Sequence, residues 1–144
     1  MLNEIHEVKS DVVKMQTNVT NMFHELKDSI TILYAEQDVL RSMVGKAAYD
    51  AAKYHLLDED ESYPGRGSAL EAQIREMAGF AMRYQWKKLK VHFNVPKYIH
   101  IRRIDFQTAV RFLEDLQMRT TWFYRQYLDW VASREALKKK RGAV

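Results

Sequence analysis

The chain has 144 residues, 47% hydrophobic and 29% charged, with a net charge of +4, a composition that suits a folded soluble domain rather than a disordered segment. It contains no cysteine, which excludes disulfides, thiol nucleophiles and cysteine-ligated zinc or iron–sulfur centres, and which fits a reducing cytoplasm. Five Gly and two Pro supply little for a turn-rich β fold. No apolar run approaches the roughly 18 residues of a membrane span, and Met1-Leu2-Asn3-Glu4 opens without the blocks of a signal peptide.

The first segment has a seven-residue apolar repeat. With Ile5 as position a, the a residues are Ile5, Val12, Val19, Leu26, Leu33 and Leu40, and the d residues are Val8, Met15, Met22, Ser29, Glu36 and Met43. Only a 3.5-residue period keeps one seam facing a partner helix, so the spacing predicts a coiled-coil oligomerisation helix over residues 1–45. Glu4 at g and Lys9 at the next e suit the interhelical ion pair of parallel strands. A helix packed on its own domain is the competing reading, but about 40 helical residues extend roughly 60 Å, more than a domain this small can cover. Phe23 and Ile30 at e, with Ile32 and Val39 at g, widen the stripe. That widening fits either a higher oligomer or a helix beginning to pack on the globular part.

The Ala-rich stretch Lys46–Leu57 has high helix propensity and is expected to continue the same helix. Residues 58–68, with four consecutive acids followed by Pro64, Gly65 and Gly67, read as an exposed loop. Ser68-Ala69-Leu70-Glu71 matches a capping box. The helix it opens carries Leu70, Ile74, Met77 and Ala81 on one stripe and Ala78, Met82, Trp86, Leu89 and Phe93 on the next, a wide apolar arc suited to a central core helix. Pro96 disfavours helix at Val95, so Val95–Ile101 is expected as an extended connector with Tyr98 and Ile101 turned inward. Asp105 is a candidate N-cap for one last helix from Phe106 to about Leu137, with a seam of Ala109, Val110, Leu113, Leu116, Thr120, Tyr124, Tyr127 and Val131. The organisation expected is all-α: a long coiled-coil helix (1–45), a basic helical domain (46–137) and a basic tail (138–144).

Charge is also unevenly divided along the chain. Residues 1–62 hold six Lys/Arg against twelve Asp/Glu, and residues 63–144 hold seventeen against seven. A basic half points to a polyanionic partner. Its densest stretch, Trp86–Arg103, has six Lys/Arg, two His and no acid before Asp105. On a helical wheel Arg83, Lys87 and Lys90 share one face beside Trp86, Leu89 and Phe93. With Lys88 and Lys97 they form a candidate surface for a phosphate backbone. Arg102 and Arg103 precede a helix start, where free N–H groups would add to an anion site.

Catalytic and metal chemistry find no foothold in the sequence, and the chain is expected to be no enzyme and to need no cofactor. The histidines His6, His24, His55, His92 and His100 never pair at i, i+4. His24-Glu25-Leu26-Lys27-Asp28 lacks the second His of a metalloprotease motif, and Gly65-Arg66-Gly67-Ser68 lacks the length and lysine of a phosphate-cradling loop. No Ser sits in a nucleophile-elbow context. The aromatics Trp122, Phe123, Tyr124, Tyr127 and Trp130 are read as core or oligomer packing rather than as base-stacking groups.

The spacing Trp86, Leu89, Phe93, Val95, Tyr98, Ile101, Phe106, Ala109 and Phe112 resembles the C-terminal domain of phage antirepressor-like regulators, the "ORF six C-terminal" family, over roughly Ala47–Leu116. The resemblance implies a role in phage or prophage gene control inside a bacterial host cell, and it supplies no catalytic residues. Members of that family often carry a separate N-terminal DNA-binding or antirepressor module; none is recognised in these 144 residues, which fits either the C-terminal half of a longer protein or a short relative that works through its coiled coil. The expected partners are the chain itself through its coiled coil, DNA through the basic domain and, as the alternative, a repressor or host protein bound without DNA contact.

Overall fold

A computed structural model describes residues 2–142, with side chains at residue 5 and from residue 7 onward. Five α-helices follow in order: α1 (Leu2–Ser29), α2 (Tyr34–Leu56), α3 (Ala69–Phe93), α4 (Phe106–Asp115) and α5 (Thr121–Gly142), with 3-10 turns at Tyr98–His100 and Arg103–Asp105. The fold is all-α, as the composition and periodicity predict. The expected Glu4–Lys9 pair, His6, and residues 143–144 of the basic tail lie outside the described residues or side chains.

The 28 residues of α1 extend about 42 Å at 1.5 Å per residue. Its apolar seam is left uncovered among the described residues: Val12 is 47% and Val19 65% exposed, and Ile5, Val8, Met15, Met22 and Leu26 are exposed with them. The helix does not run on to Gly45 or Leu57. It stops at Ser29, and Ile30–Leu33 forms an extended hinge. Thr31 pairs with Arg102 in an isolated antiparallel β-bridge, where the Ile32 N–H donates to the Ile101 carbonyl (2.9 Å) and the Arg103 N–H to the Ile30 carbonyl (2.8 Å). Ile30-Thr31-Ile32 is a β-branched run, stiff at χ1 and suited to extended backbone. Glu36 then restarts the helix by accepting the Leu33 N–H at 2.8 Å, half of a capping box.

This break corrects the heptad assignment beyond Leu26. Leu33 becomes the exposed N-cap of α2, and Leu40 is buried at 0% exposure in the domain core. The repeat continued in register, but α2 turns its stripe inward once the hinge redirects the chain.

α2 and α3 pack closely through small side chains, with Ala48, Ala51 and Ala52 facing Ala78 and Ala81, and Ile74 and Met77 beside them. Met118, Phe123 and Tyr127 complete that cluster. A second cluster joins Ile32, Leu40 and Val44 to Leu89, Ile101, Ala109 and Leu113. Fully buried Gln85 lies on α3 between Ala81 and Leu89, its amide donating to the Val44 (3.0 Å) and Ala81 (3.2 Å) carbonyls.

The α3 boundaries follow the predicted signals. Ser68 Oγ accepts the Glu71 N–H, and Glu71 reaches back to the Gly67 N–H. At the other end Asn94 takes a left-handed conformation (φ 52°), and the Val95 N–H caps the Lys90 carbonyl. The expected single last helix is two. Residues 116–120 interrupt it: Met118 is buried, its carbonyl bonds the His55 ring at 2.7 Å, and Thr120 Oγ1 caps the Phe123 N–H. Asp105 does precede α4, but its carboxylate accepts from Arg102 (3.1 Å) instead of capping the helix.

The hinge separates two kinds of apolar position. Leu40→Asp should abolish the cooperative thermal transition, because an unpaired carboxylate in the core costs several kcal/mol of the ~5–15 available. Val12→Asp with Val19→Asp should leave a folded domain with a cooperative melt. Circular dichroism melts of the two variants check this.

Candidate nucleic-acid interface

α3 buries apolar side chains against α2, α4 and α5, and its C-terminal half leaves an exposed cationic face. Arg83, Lys87 and Lys90 occupy it at i, i+4 and i+7, in successive turns of one face. Beyond the Asn94 cap the chain folds back. Tyr98 stacks on Trp86 with ring centroids 4.3 Å apart, and the Tyr98 hydroxyl accepts from the Arg41 guanidinium at 3.2 Å. This stack sets the Pro96–Ile99 segment beside α3 and closes an open groove of about 720 Å³ lined by Arg83, Trp86, Lys87, Lys90, Pro96, Lys97, Tyr98 and Ile99. The lining holds four cations and no acid. None of the four is in an ion pair among the described residues.

The seven predicted contact residues therefore separate into groups. The structure brings Arg83, Lys87, Lys90 and Lys97 together in this groove. Lys88 turns to the other side of the cationic strip, where its ammonium lies 5.6 Å from the Tyr84 ring centre in a second groove between α3 and α5. Arg83 and Lys87 line both grooves. Arg102 and Arg103 are in neither. Arg102 bonds Asp105, and the Arg103 guanidinium stands 3.6 Å from Glu36, the residue that restarts the helix at α2. Both secure the hinge, and the Asp105 carboxylate beside the start of α4 works against the anion site expected there.

Sequence reasoning missed Tyr84 and grouped Trp122 with the core or oligomer-packing aromatics. Tyr84 packs edge-on against Phe123 (5.2 Å), and burial pushes its phenol pKa up. Trp122 remains exposed although its neighbour Phe123 is fully buried. The available signal was the i, i+4 spacing of Phe123 and Tyr127, which points Trp122 away from the core. Arg83 sits 5.0 Å over the Trp130 ring, a cation–π contact that holds the guanidinium at the lip of both grooves.

No helix among the described residues is long and apolar enough to cross a membrane, and no group of three or more His, Asp or Glu among them is placed to hold a metal ion.

The architecture is thus a small helical domain with a cation-lined groove and one helix standing off it. Residues 73–122 match the family model of the ORF6C domain, a domain of phage-type regulatory and antirepressor-like proteins. This is the family the Trp86–Phe112 spacing resembles. The match takes in most of α3, the Trp86–Tyr98 stack, both 3-10 turns, α4 and the first residues of α5. No curated protein and no solved structure matches the chain.

Trp86→Ala should cost about 2–4 kcal/mol, somewhat under the loss for a fully buried Trp, because it removes the ring on which the Lys97 segment is stacked. Lys87→Ala, at an exposed position, should fall within about 0.5 kcal/mol of the parent. Urea denaturation of both variants measures the difference.

Proposed function

We propose that this chain is a self-associating, non-enzymatic regulator of phage or prophage type that contacts DNA through the α3 groove. The observation that carries the reading is the convergence of Arg83, Lys87, Lys90 and Lys97 on one groove without an acid. Clustered cations with no acid among them repel one another modestly, and a polyanion would relieve that repulsion. Exposed lysines beside a shallow apolar floor can follow a phosphate backbone without reading bases. The match to the ORF6C domain supports the regulatory context.

Self-association is supported by α1. In proteins most of a helix's stability comes from packing an apolar face rather than from propensity. The domain does not cover that face, and the seam Ile5, Val8, Val12, Met15, Val19, Met22 and Leu26 has the period of a coiled coil. Leu33 and Leu40 are not part of it.

A second reading, capture of a repressor or host protein without DNA, is favoured by the exposed apolar foot of α1, where Phe23 and Ile30 lie outside the core. The two readings give opposite results. For a DNA-binding regulator, affinity for duplex DNA should fall steeply with salt, and Lys87→Glu with Lys90→Glu should reduce the log–log salt slope by about 2 and weaken binding to all sequences alike. If no mobility shift occurs at low salt with folded protein, and Phe23→Asp with Ile30→Asp alone destroys regulation, the protein-capture reading replaces it. Val12→Asp with Val19→Asp should lower the mass in light scattering to that of one chain, and an unchanged mass would reject the α1 seam.

A further inference from the structure

Across the Arg83–Lys87 strip from the first groove, α3 and α5 enclose a second one of about 590 Å³. Its two walls differ in chemistry. The α3 wall carries Arg83, Lys87 and Lys88, while the α5 wall carries no cation and presents Trp122, Gln126 and Asp129. Trp122 is 54% exposed. Its ring lies 6.2 Å from that of Tyr84 between centroids and is tilted by 60°, so the indole is not stacked on it. Trp130, by contrast, is already engaged, with the Arg83 and Arg134 guanidiniums 5.0 and 4.8 Å from its ring centre.

From this asymmetry we infer that the α3–α5 groove takes an unstacked base of a single-stranded nucleic acid, with the phosphates along Arg83 and Lys87 and the base against Trp122. The inference rests on the cationic strip being a phosphate contact, since the same two residues line both grooves. Asp129 fixes the orientation. A phosphate on the α5 wall would be repelled by this carboxylate, whereas the amino group of a base can donate to it and the Gln126 amide can pair with either kind of base-edge atom. In a duplex the bases are stacked on one another and cannot offer a face to the indole; in a single strand they can. An acidic peptide would satisfy the cations but would leave Trp122 without a flat partner.

The test is fluorescence anisotropy at low salt on the full chain, with a labelled mixed-sequence single strand, an abasic strand of equal length and a duplex. The single strand should bind more tightly than the abasic strand. Trp122→Ala should weaken it about tenfold, the contribution of one stacked base, without changing duplex affinity, and Trp122→Phe should restore most of the loss. Circular dichroism confirms that the variants fold. Equal binding of normal and abasic strands, or an unchanged single-strand affinity in Trp122→Ala, overturns the base slot while duplex binding still supports the first groove. Absence of binding to all three probes overturns both.

Discussion

The arrangement depends on the antiparallel contact between Ile30–Ile32 and Ile101–Arg103. Two main-chain hydrogen bonds would be a weak tie between exposed segments, because each replaces a bond to water and adds only about 1 kcal/mol net. Here they lie over Ile32 and Ile101, both buried in the same cluster as Leu40, Leu89 and Leu113. Extending the first helix through this point would pull Ile32 out of that cluster and leave the bridging groups of Ile101 and Arg103 to water. Burial of two isoleucines, about 1.5–3 kcal/mol each, outweighs the loss of one helical turn. The hinge sends α1 away from the domain and α2 into it.

The same contact ties the projecting helix to the basic segment. Arg103 reaches Glu36 at the start of α2, Arg102 reaches Asp105 at the start of α4, and the 3-10 turn between Lys97 and Ile101 carries Tyr98 onto Trp86. The residues that fix the stalk are thus a few positions from those that line the groove. The exposed ion pairs themselves add little. Their effect is to set the direction of short segments whose main-chain bonds and buried rings supply the energy.

α3 organises the remainder because it has so little surface to spare. With Ile74, Met77, Ala78, Ala81 and Leu89 buried, Arg83, Lys87 and Lys90 share one strip, and aromatic rings from the connector and from α5 border it on either side. The cationic strip and the aromatic core are two faces of one helix. The ORF6C match, residues 73–122, covers this helix and the elements that clasp it but not α1. It therefore speaks for the domain, and the stalk stands on its own heptad spacing.

Much of this was legible in the chain. The all-α class followed from composition. The limits of α3 followed from Ser68, Glu71 and the approach to Pro96, and the row Arg83, Lys87, Lys90 followed from helical spacing, because caps and periodicity act between residues a few positions apart. The heptad spacing also marked the apolar seam of α1, which the domain leaves exposed. What tertiary structure decided was where local preference yields to distant contacts. The a positions stay apolar through Leu33 and Leu40 although d falls on Ser29 and Glu36, yet Ile32 and Leu40 are claimed by a core that includes Leu89, Ile101, Ala109 and Leu113, far along the chain. The stripe from Ala109 to Val131 suggested one helix, yet Met118 is drawn inward and its carbonyl taken by His55. Arg102 and Arg103 read as free cations until Asp105 and Glu36 were brought beside them, and Trp122 read as core until Phe123 filled the place it would have occupied. A periodic pattern records which face of a helix is apolar, and only the packed chain determines what that face meets.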